Sequence, residues 1–163
     1  MDTLIVCAAN VCRSPAAEAL WRAAVLTRGV AARVSSAGLQ ASPGARQSAT
    51  MAKLLASQGI AMAERGATVF LPAIARRHQL VLVMEPAHQR AILSMAPDLA
   101  GRVHLLGRWG QGPIEDPMGG AVIGYRRCIE QMEAAVNAWL ARLTAEGSQR
   151  GVLRTDKELA RAS

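Results

Sequence analysis

One short segment, in which a strand, a loop and a helix follow one another, constrains this chain more than any other. Residues 4–6 form an apolar, β-branched run that suits a buried strand, and Cys7 ends it. Arg13 follows six residues later, and Ser14 and Pro15 precede an alanine-rich stretch that favours helix. Pro15 suits the first helical turn, Ser14 suits the N-cap position, and the helix is expected to end near Arg28-Gly29 with Gly as the cap. The segment is therefore predicted to run from strand through tight loop to helix.

The loop between Cys7 and Arg13 has the chemistry of an anion-binding site. Its small residues allow several backbone N–H groups to converge at a helix N-terminus, where the helix dipole also favours negative charge. Arg13 adds a planar fork of donors that matches two phosphate oxygens. The same field favours a thiolate at Cys7, and Ser14 is placed to donate its hydroxyl to it. A lone Cys at a strand end is most often a core residue, but the spacing C-x5-R-S between strand and helix predicts a nucleophile and a phosphate cradle in one loop.

Strand and helix patterns alternate along the rest of the chain. Further strands are predicted at 33–37, 80–84 and 103–106, and further helices at 46–58, 71–77, 86–95 and 121–146. This alternation predicts an α/β fold of three layers, with a four-stranded parallel sheet in the order 2-1-3-4 flanked by helices. Ligands bind at the switch in strand order, and the phosphate-binding loop after strand 1 lies there. Residues 1–146 are predicted to form one domain, and 147–163 a polar C-terminal tail.

The segment from Cys7 to Glu18 resembles the signature of the low-molecular-weight protein tyrosine phosphatases, C-x-G-N-x-C-R-S-P-x-A-E. Only Ala9 departs from it, where the family usually has Gly. The likeness spans roughly residues 2 to 145 and continues through Ser36-Ala37-Gly38, Gly59-Ile60, Met84-Glu85, Leu106-Gly107-Arg108-Trp109 and Asp116-Pro117. The bacterial branch linked to exopolysaccharide export is the most similar.

The resemblance implies a phosphatase that hydrolyses phosphotyrosine through a phosphocysteine intermediate, without metal or other cofactor. Cys7 would be the nucleophile, Arg13 would bind the phosphate, and Asp116 would be the general acid. Pro117 biases Asp116 toward an extended backbone that can hold its carboxyl over the loop. The substrate-binding residues would be Ala8, Ala9, Asn10, Val11, Cys12 and Ser14 of the loop, with Leu39 and Met118 as walls.

Several residues differ from the family pattern, and these differences lead to expectations about the substrate. Met118 stands where the family has an aromatic residue that lines the phosphotyrosine slot, and Val11 stands where phosphoarginine-specific relatives carry Thr. The family often supports the loop asparagine, here Asn10, with a His, and Glu64 is near that place here. The exopolysaccharide branch implies a phosphotyrosine protein as partner, namely a membrane tyrosine autokinase.

Composition excludes other classes of function. The net charge of +7 is spread along the chain and aromatic residues make up 3%, too few for a base-stacking surface, so nucleic acid is not an expected partner. No apolar run approaches the ~18 residues that a bilayer requires, so no stable membrane association is expected. Three cysteines and no signal peptide predict a cytoplasmic protein with reduced thiols. The family resemblance implies that Cys7 and Cys12 form a reversible disulfide.

Two alternatives remain open at the level of sequence. A phosphate-sensing binding module with little activity is one, because Ala9 replaces a Gly that is sometimes needed for positive φ. Arsenate reduction is the other, although it requires further cysteines to relay a disulfide and residues 80–96 contain none.

Overall fold

A computed structural model describes the backbone of residues 1–161 and the side chains of residues 1–145. Its elements follow in the order β1 (Asp2–Cys7), α1 (Arg13–Arg28), β2 (Arg33–Gly38), α2 (Ala49–Ala56), α3 (Pro72–Ala75), β3 (Leu80–Val83), α4 (Pro86–Met95), a 3-10 turn (Pro97–Leu99), β4 (Val103–Leu105) and α5 (Val122–Arg161). Within the described range, the four strands form one sheet in the order β2-β1-β3-β4, and all three pairings are parallel. The predicted fold class and strand order are confirmed.

The central strand β1 divides the core into two halves. Ile5 packs into a cluster with α1 and α5, whereas its neighbours Leu4 and Val6 pack into a second cluster with α4. Successive side chains of a strand point to opposite faces, so β1 is buried on both. The carboxyl end of β1 lies between β2 and β3, with Cys7 paired to Gly38 at the edge where ligands bind.

The ends of α1 show one prediction right and one wrong. Gly29 has a φ of 62° and ends the helix in the left-handed conformation, as expected. The helix begins at Arg13 with Cys12 as its N-cap, so Ser14 lies inside the first turn and is not the cap. The reason is chemical: the Ser14 hydroxyl is engaged by the side chains of Cys7 and Asn10.

The other helices differ from their predicted lengths. Helix α2 begins only at Ala49, because the Ser48 hydroxyl caps it by accepting from the Met51 N–H at 3.2 Å. Helix α5 continues to Arg161, so its backbone runs through the boundary predicted at residue 146 and into the predicted tail, whose side chains lie outside the described residues. No helix in the described part of the chain is long and apolar enough to cross a bilayer.

Candidate active site

Cys7 lies at the base of the loop that joins β1 to α1. Its side chain is buried, with 3% of the residue exposed. The sulfur lies 2.9 Å from the Ser14 hydroxyl oxygen and accepts from the Asn10 N–H at 3.3 Å. The Asn10 N–H therefore donates to the sulfur and the Ser14 hydroxyl lies within hydrogen-bond distance of it, an arrangement that suits a nucleophilic cysteine.

The backbone of the loop depends on Asn10 rather than on Ala9. Asn10, with a φ of 55°, is the only non-glycine residue with positive φ among the described residues. Ala9 therefore carries no left-handed strain, and the replacement of the family's Gly is compatible with the loop. A close approach comes from β2 instead: a Cβ on Gly38 would lie 2.7 Å from the backbone of Ala8, Ala9 and Asn10.

The Asn10 side chain is held by a buried network that sequence analysis missed. Its Nδ2 donates to the hydroxyls of Ser14 and Ser36 at 2.8 and 2.9 Å. Its Oδ1 accepts from the Thr68 N–H at 2.8 Å and from Arg65 at 3.4 Å. Arg65, and not the preceding residue Glu64, is therefore the side chain from this segment that contacts Asn10.

Arg13 connects the loop to two other segments. It is 3% exposed, and its Nη1 donates to the Ile114 carbonyl at 2.8 Å and to the carboxylate of Glu85. Its Nη2 lies 3.6 Å from Oδ2 of Asp116. The hydrogen bond from Arg13 lowers the pKa of Glu85 below its ordinary value. Glu85 belongs to the Met84-Glu85 pair of the family likeness, for which no role was predicted, and its position just after β3 is the sequence signal that could have indicated one.

A cavity of about 220 Å³ opens above the loop. It is lined by Cys7, Ala9, Val11, Cys12, Arg13, Asp116 and Met118. The three predicted catalytic residues therefore share one cavity with four of the predicted binding residues. Ala8, Asn10 and Ser14 shape the loop without lining the cavity.

Leu39 is not in the cavity lining, contrary to the expectation that it forms a wall. Its N–H donates to the carbonyl of Cys7 at 3.0 Å, and its side chain is half-buried against the core cluster on the α4 side of the sheet. Backbone hydrogen bonding to the β1–α1 segment thus continues past the end of β2. The Leu39 side chain packs against the core cluster and not into the cavity.

The segment with Asp116 is the open side of the cavity. The Asp116 side chain is 48% exposed and Met118 is 47% exposed. Oδ1 of Asp116 accepts from the Met118 N–H at 3.1 Å, a short-range turn contact that holds the carboxyl. The Tyr125 hydroxyl lies 3.6 Å from the Met118 sulfur. Met118 thus provides one apolar wall of the cavity, and this wall contains no aromatic ring.

The other two cysteines are free and buried. Burial raises the pKa of Cys12 to about 12 and that of Cys128 to about 11. Both are therefore protonated, weak nucleophiles at neutral pH. Cys12 lines the same cavity as Cys7, whereas Cys128 belongs to the core cluster between α1 and α5.

Comparison with known proteins shows the family to which this chain belongs. The sequence profile of the low molecular weight phosphotyrosine protein phosphatases matches residues 2–149. The chain belongs to this family. It is 34% identical over 144 residues to the probable low molecular weight protein-tyrosine-phosphatase EpsP of Ralstonia solanacearum, covering 88% of this chain and 97% of that protein. The predicted family and enzyme class are confirmed, and the protein is a cysteine-dependent protein-tyrosine phosphatase.

Solved structures place this phosphatase among two kinds of relatives. The Erwinia amylovora tyrosine phosphatase AmsI superposes with a TM-score of 0.80 at 29% identity, over 86% of this chain and 91% of that one. The arginine phosphatase YwlE of Geobacillus stearothermophilus superposes with a TM-score of 0.82 at 27% identity, over 91% and 96%. Both share the fold, so the fold alone does not select the phosphorylated amino acid.

Proposed function

We propose that this phosphatase removes phosphate from tyrosine side chains of proteins, with Cys7 as nucleophile, Arg13 as phosphate ligand and Asp116 as general acid. The observation that carries the proposal is that these three side chains line one cavity of about 220 Å³. The loop N–H groups and the Arg13 guanidinium bind the phosphate dianion at the N-terminus of α1. Ala8, Ala9, Asn10, Val11, Cys12 and Ser14 supply the loop that shapes this cradle.

The first chemical step transfers the phosphoryl group to the protein. The Cys7 sulfur attacks phosphorus, the P–S bond forms and the P–O bond to tyrosine breaks. Asp116 gives its proton to the departing tyrosine oxygen, a role supported by its carboxyl at 3.6 Å from the phosphate-binding Arg13. Glu85 and the Ile114 carbonyl hold the guanidinium in place through both steps.

The second step releases phosphate. Asp116, now ionised, accepts a proton from water while the water oxygen attacks phosphorus, and the P–S bond breaks. The Cys7 thiolate that leaves is stabilised by the Asn10 N–H and the Ser14 hydroxyl. Each cycle therefore converts one phosphotyrosine and one water into tyrosine and inorganic phosphate.

Tyrosine, rather than arginine or serine, is the substrate that the walls support. Val11 and Met118 are apolar and line the cavity, and Val11 lacks the hydroxyl that Thr would offer to a phosphoguanidinium. A tyrosine ring also reaches further from the backbone than a serine side chain, which suits a phosphate site whose nucleophile is 3% exposed.

The physiological partner is proposed from the relatives. EpsP of R. solanacearum and AmsI of E. amylovora are named as tyrosine phosphatases, and the sequence resembles the exopolysaccharide branch. The partner we propose is a membrane tyrosine autokinase whose phosphorylated tail is reached from the cytoplasm, so that dephosphorylation regulates exopolysaccharide production.

The test is hydrolysis of three matched peptides that carry phosphotyrosine, phosphoserine or phosphoarginine at the same position. We expect turnover of the phosphotyrosine peptide alone, and none by Cys7→Ser. Cys128→Ser is the matched control, because it removes a buried thiol that does not line the cavity. Faster turnover of the phosphoarginine peptide would contradict the substrate assignment, and phosphate binding without turnover would contradict the enzymatic one.

A further inference from the structure

A groove of about 520 Å³ continues from the catalytic cavity. Asp116 and Met118 line both the cavity and the groove, so a substrate whose phosphate lies on the loop leaves the cavity beside this groove. One wall of the groove is formed by residues 113–120, which carry Asp116, and the other wall is one face of α5. The catalytic steps proposed above do not use the groove.

The α5 wall is long enough to face several residues of a bound peptide. Gly124, Arg127, Cys128 and Gln131 line it, and this spacing places them on one face of the helix. The helix rises about 10 Å from the first of these residues to the last. An extended peptide covers the same length with about three residues. The groove therefore matches the part of a substrate that directly adjoins the phosphotyrosine.

Hydrogen bonds fix the two walls of the groove relative to each other. Nε2 of Gln131 donates to the carbonyls of Gln111 and Pro113, at 2.7 and 2.9 Å. Nearer the start of α5, the Tyr125 hydroxyl lies 3.6 Å from the Met118 sulfur. The segment after β4 is thus tied to α5 at two places, and the groove is part of the folded structure.

Arg127 is the one cationic side chain among the described residues that line the groove. It is exposed, and its guanidinium has no hydrogen bond or ion pair with any residue whose side chain the structure describes. Other surface arginines are paired, since Arg33 binds Asp2 and Arg76 binds Asp98. The N–H groups of Arg127 are therefore available to a ligand, and their planar fork matches a carboxylate.

The charges around the groove favour an acidic side chain over a basic one. Glu115 lines the groove, is exposed and makes no ion pair with Arg127 within the described part of the chain. Asp116 carries a proton at the start of the proposed cycle and is then neutral. Arg126, which is also exposed, adds a second positive charge beside Arg127. A basic side chain of a substrate would meet both guanidiniums, whereas an acidic one meets only the repulsion of Glu115.

We propose that Arg127 is a specificity-determining residue, which binds an acidic side chain of the substrate within about three residues of the phosphotyrosine. The inference rests on the proposed function for the phosphotyrosine itself and adds the chemistry of the neighbouring sequence. Phosphate binding on the loop brings the peptide to the groove, where the guanidinium can bind the carboxylate through two parallel hydrogen bonds. The phosphatase thus distinguishes between phosphotyrosine sites by the residues beside them.

The test is a series of phosphotyrosine peptides in which a single Glu is moved through the three positions on either side, with Gln at the others. We expect Glu at one or more of these positions to raise kcat/KM about fivefold over the all-Gln peptide, as for one partly exposed ion pair. In Arg127→Met this ratio should fall to about one. Lys in place of Glu should lower kcat/KM in the wild-type protein.

Arg126→Met is the matched control, because it removes the same charge one residue away from a side chain that does not line the groove. It should keep the Glu-to-Gln ratio to within about twofold, since an exposed charge acts weakly at a distance. An equal fall of the ratio in both variants would overturn the inference. A wild-type protein without a preference for Glu would also overturn it, as would a preference for Lys, which would assign the groove to Glu115.

Binding measurements keep this test separate from that of the proposed function. If the wild-type protein hydrolyses no phosphotyrosine peptide, the proposed function fails, and the affinities of Cys7→Ser for the Glu and Gln peptides decide the role of Arg127. The same ratio of about fivefold is then expected in Kd, and it should be lost when Arg127→Met is added. If all the peptides are hydrolysed equally fast, the proposed function stands and the inference about Arg127 fails.

Discussion

On the loop side of the catalytic cavity, Cys7, Asn10 and Arg13 are buried and hydrogen-bonded, whereas the Asp116 side is half exposed and held by few contacts. Cys7 and Arg13 are each 3% exposed and Asn10 is completely buried, with every polar atom of its side chain paired. The Asp116 side chain is 48% exposed, and Met118 as a whole residue is 47% exposed. The difference teaches that, in the proposed mechanism, phosphate binding and thiolate stabilisation depend on the folded core, while proton transfer and substrate choice belong to a segment that can change without disturbing that core.

The largest expected effect is on the exposed side, from Asp116→Asn. We expect kcat for a phosphotyrosine peptide to fall by about 10² or more, because the departing tyrosine oxygen loses its proton donor. An aryl phosphate with a much more acidic leaving group should lose far less. Since the side chain is half exposed, the melting temperature should stay unchanged, and Glu115→Gln, the exposed neighbour, serves as the control. An equal loss for both leaving groups would contradict the general-acid role.

The next effect tests the buried side, with Gly38→Ala. The added Cβ would lie 2.7 Å from the backbone of the loop, so the loop must shift. We expect kcat/KM to fall about 10²-fold, as for a displacement near 1 Å of reacting groups, and stability to fall by about 1–3 kcal/mol from overpacking. Gly101→Ala is the control, because nothing lies within 4 Å of its Cβ position. Wild-type activity in the Gly38 variant would show that the loop is not as tightly constrained as its contacts indicate.

A smaller effect, in the favourable direction, is expected from Met118→Tyr. An aromatic ring at this wall of the cavity can stack on the substrate tyrosine, worth about 1 kcal/mol, or about fivefold in kcat/KM. The gain should be absent for a phosphorylated alkyl alcohol. Ile123→Tyr, which is 56% exposed and does not line the cavity, should leave kcat/KM unchanged. A gain on both substrates would mean that the ring acts on the loop and not on the substrate.

The smallest expected effect concerns Glu85. This residue binds Arg13, which belongs to the loop side of the cavity and also lies near Asp116. Arg13 depresses the pKa of Glu85 in the folded protein, below its ordinary value of 4.5. The stabilisation is therefore fully present above that ordinary value and is lost as the pH falls through the depressed one. Thermal unfolding of wild type and Glu85→Gln should differ by about 2 °C at pH 7 and converge in acid. Glu130→Gln, on the exposed face of α5, should show no such convergence, and a constant difference for Glu85→Gln would exclude the linkage.

Much of the fold followed from local patterns in the sequence. The apolar runs at 4–6 and 80–84 predicted the buried strands, of which the second ends one residue earlier in the structure, at Val83. Gly29 predicted the end of α1 and Pro86 the start of α4. The order β2-β1-β3-β4 followed from the alternation of strands and helices. Helix lengths were less predictable, since α2 begins at Ala49 rather than at Arg46 and α5 runs on to Arg161. A helix end depends on which polar groups are already engaged, and periodicity does not report that.

The sequence by itself also predicted the proposed reactive centre, because Cys7, Arg13 and Ser14 lie within one short segment whose geometry is local. Only the tertiary structure decided what surrounds it. Glu85 comes from the end of β3, and Arg65 from the segment after α2, both far from the loop in sequence. Leu39 does not line the cavity for the same reason, since its side chain packs against the core cluster on the α4 side of the sheet. Short-range chemistry can be read along the chain, but long-range hydrogen bonds depend on how the sheet and helices pack, and that is a property of the whole fold.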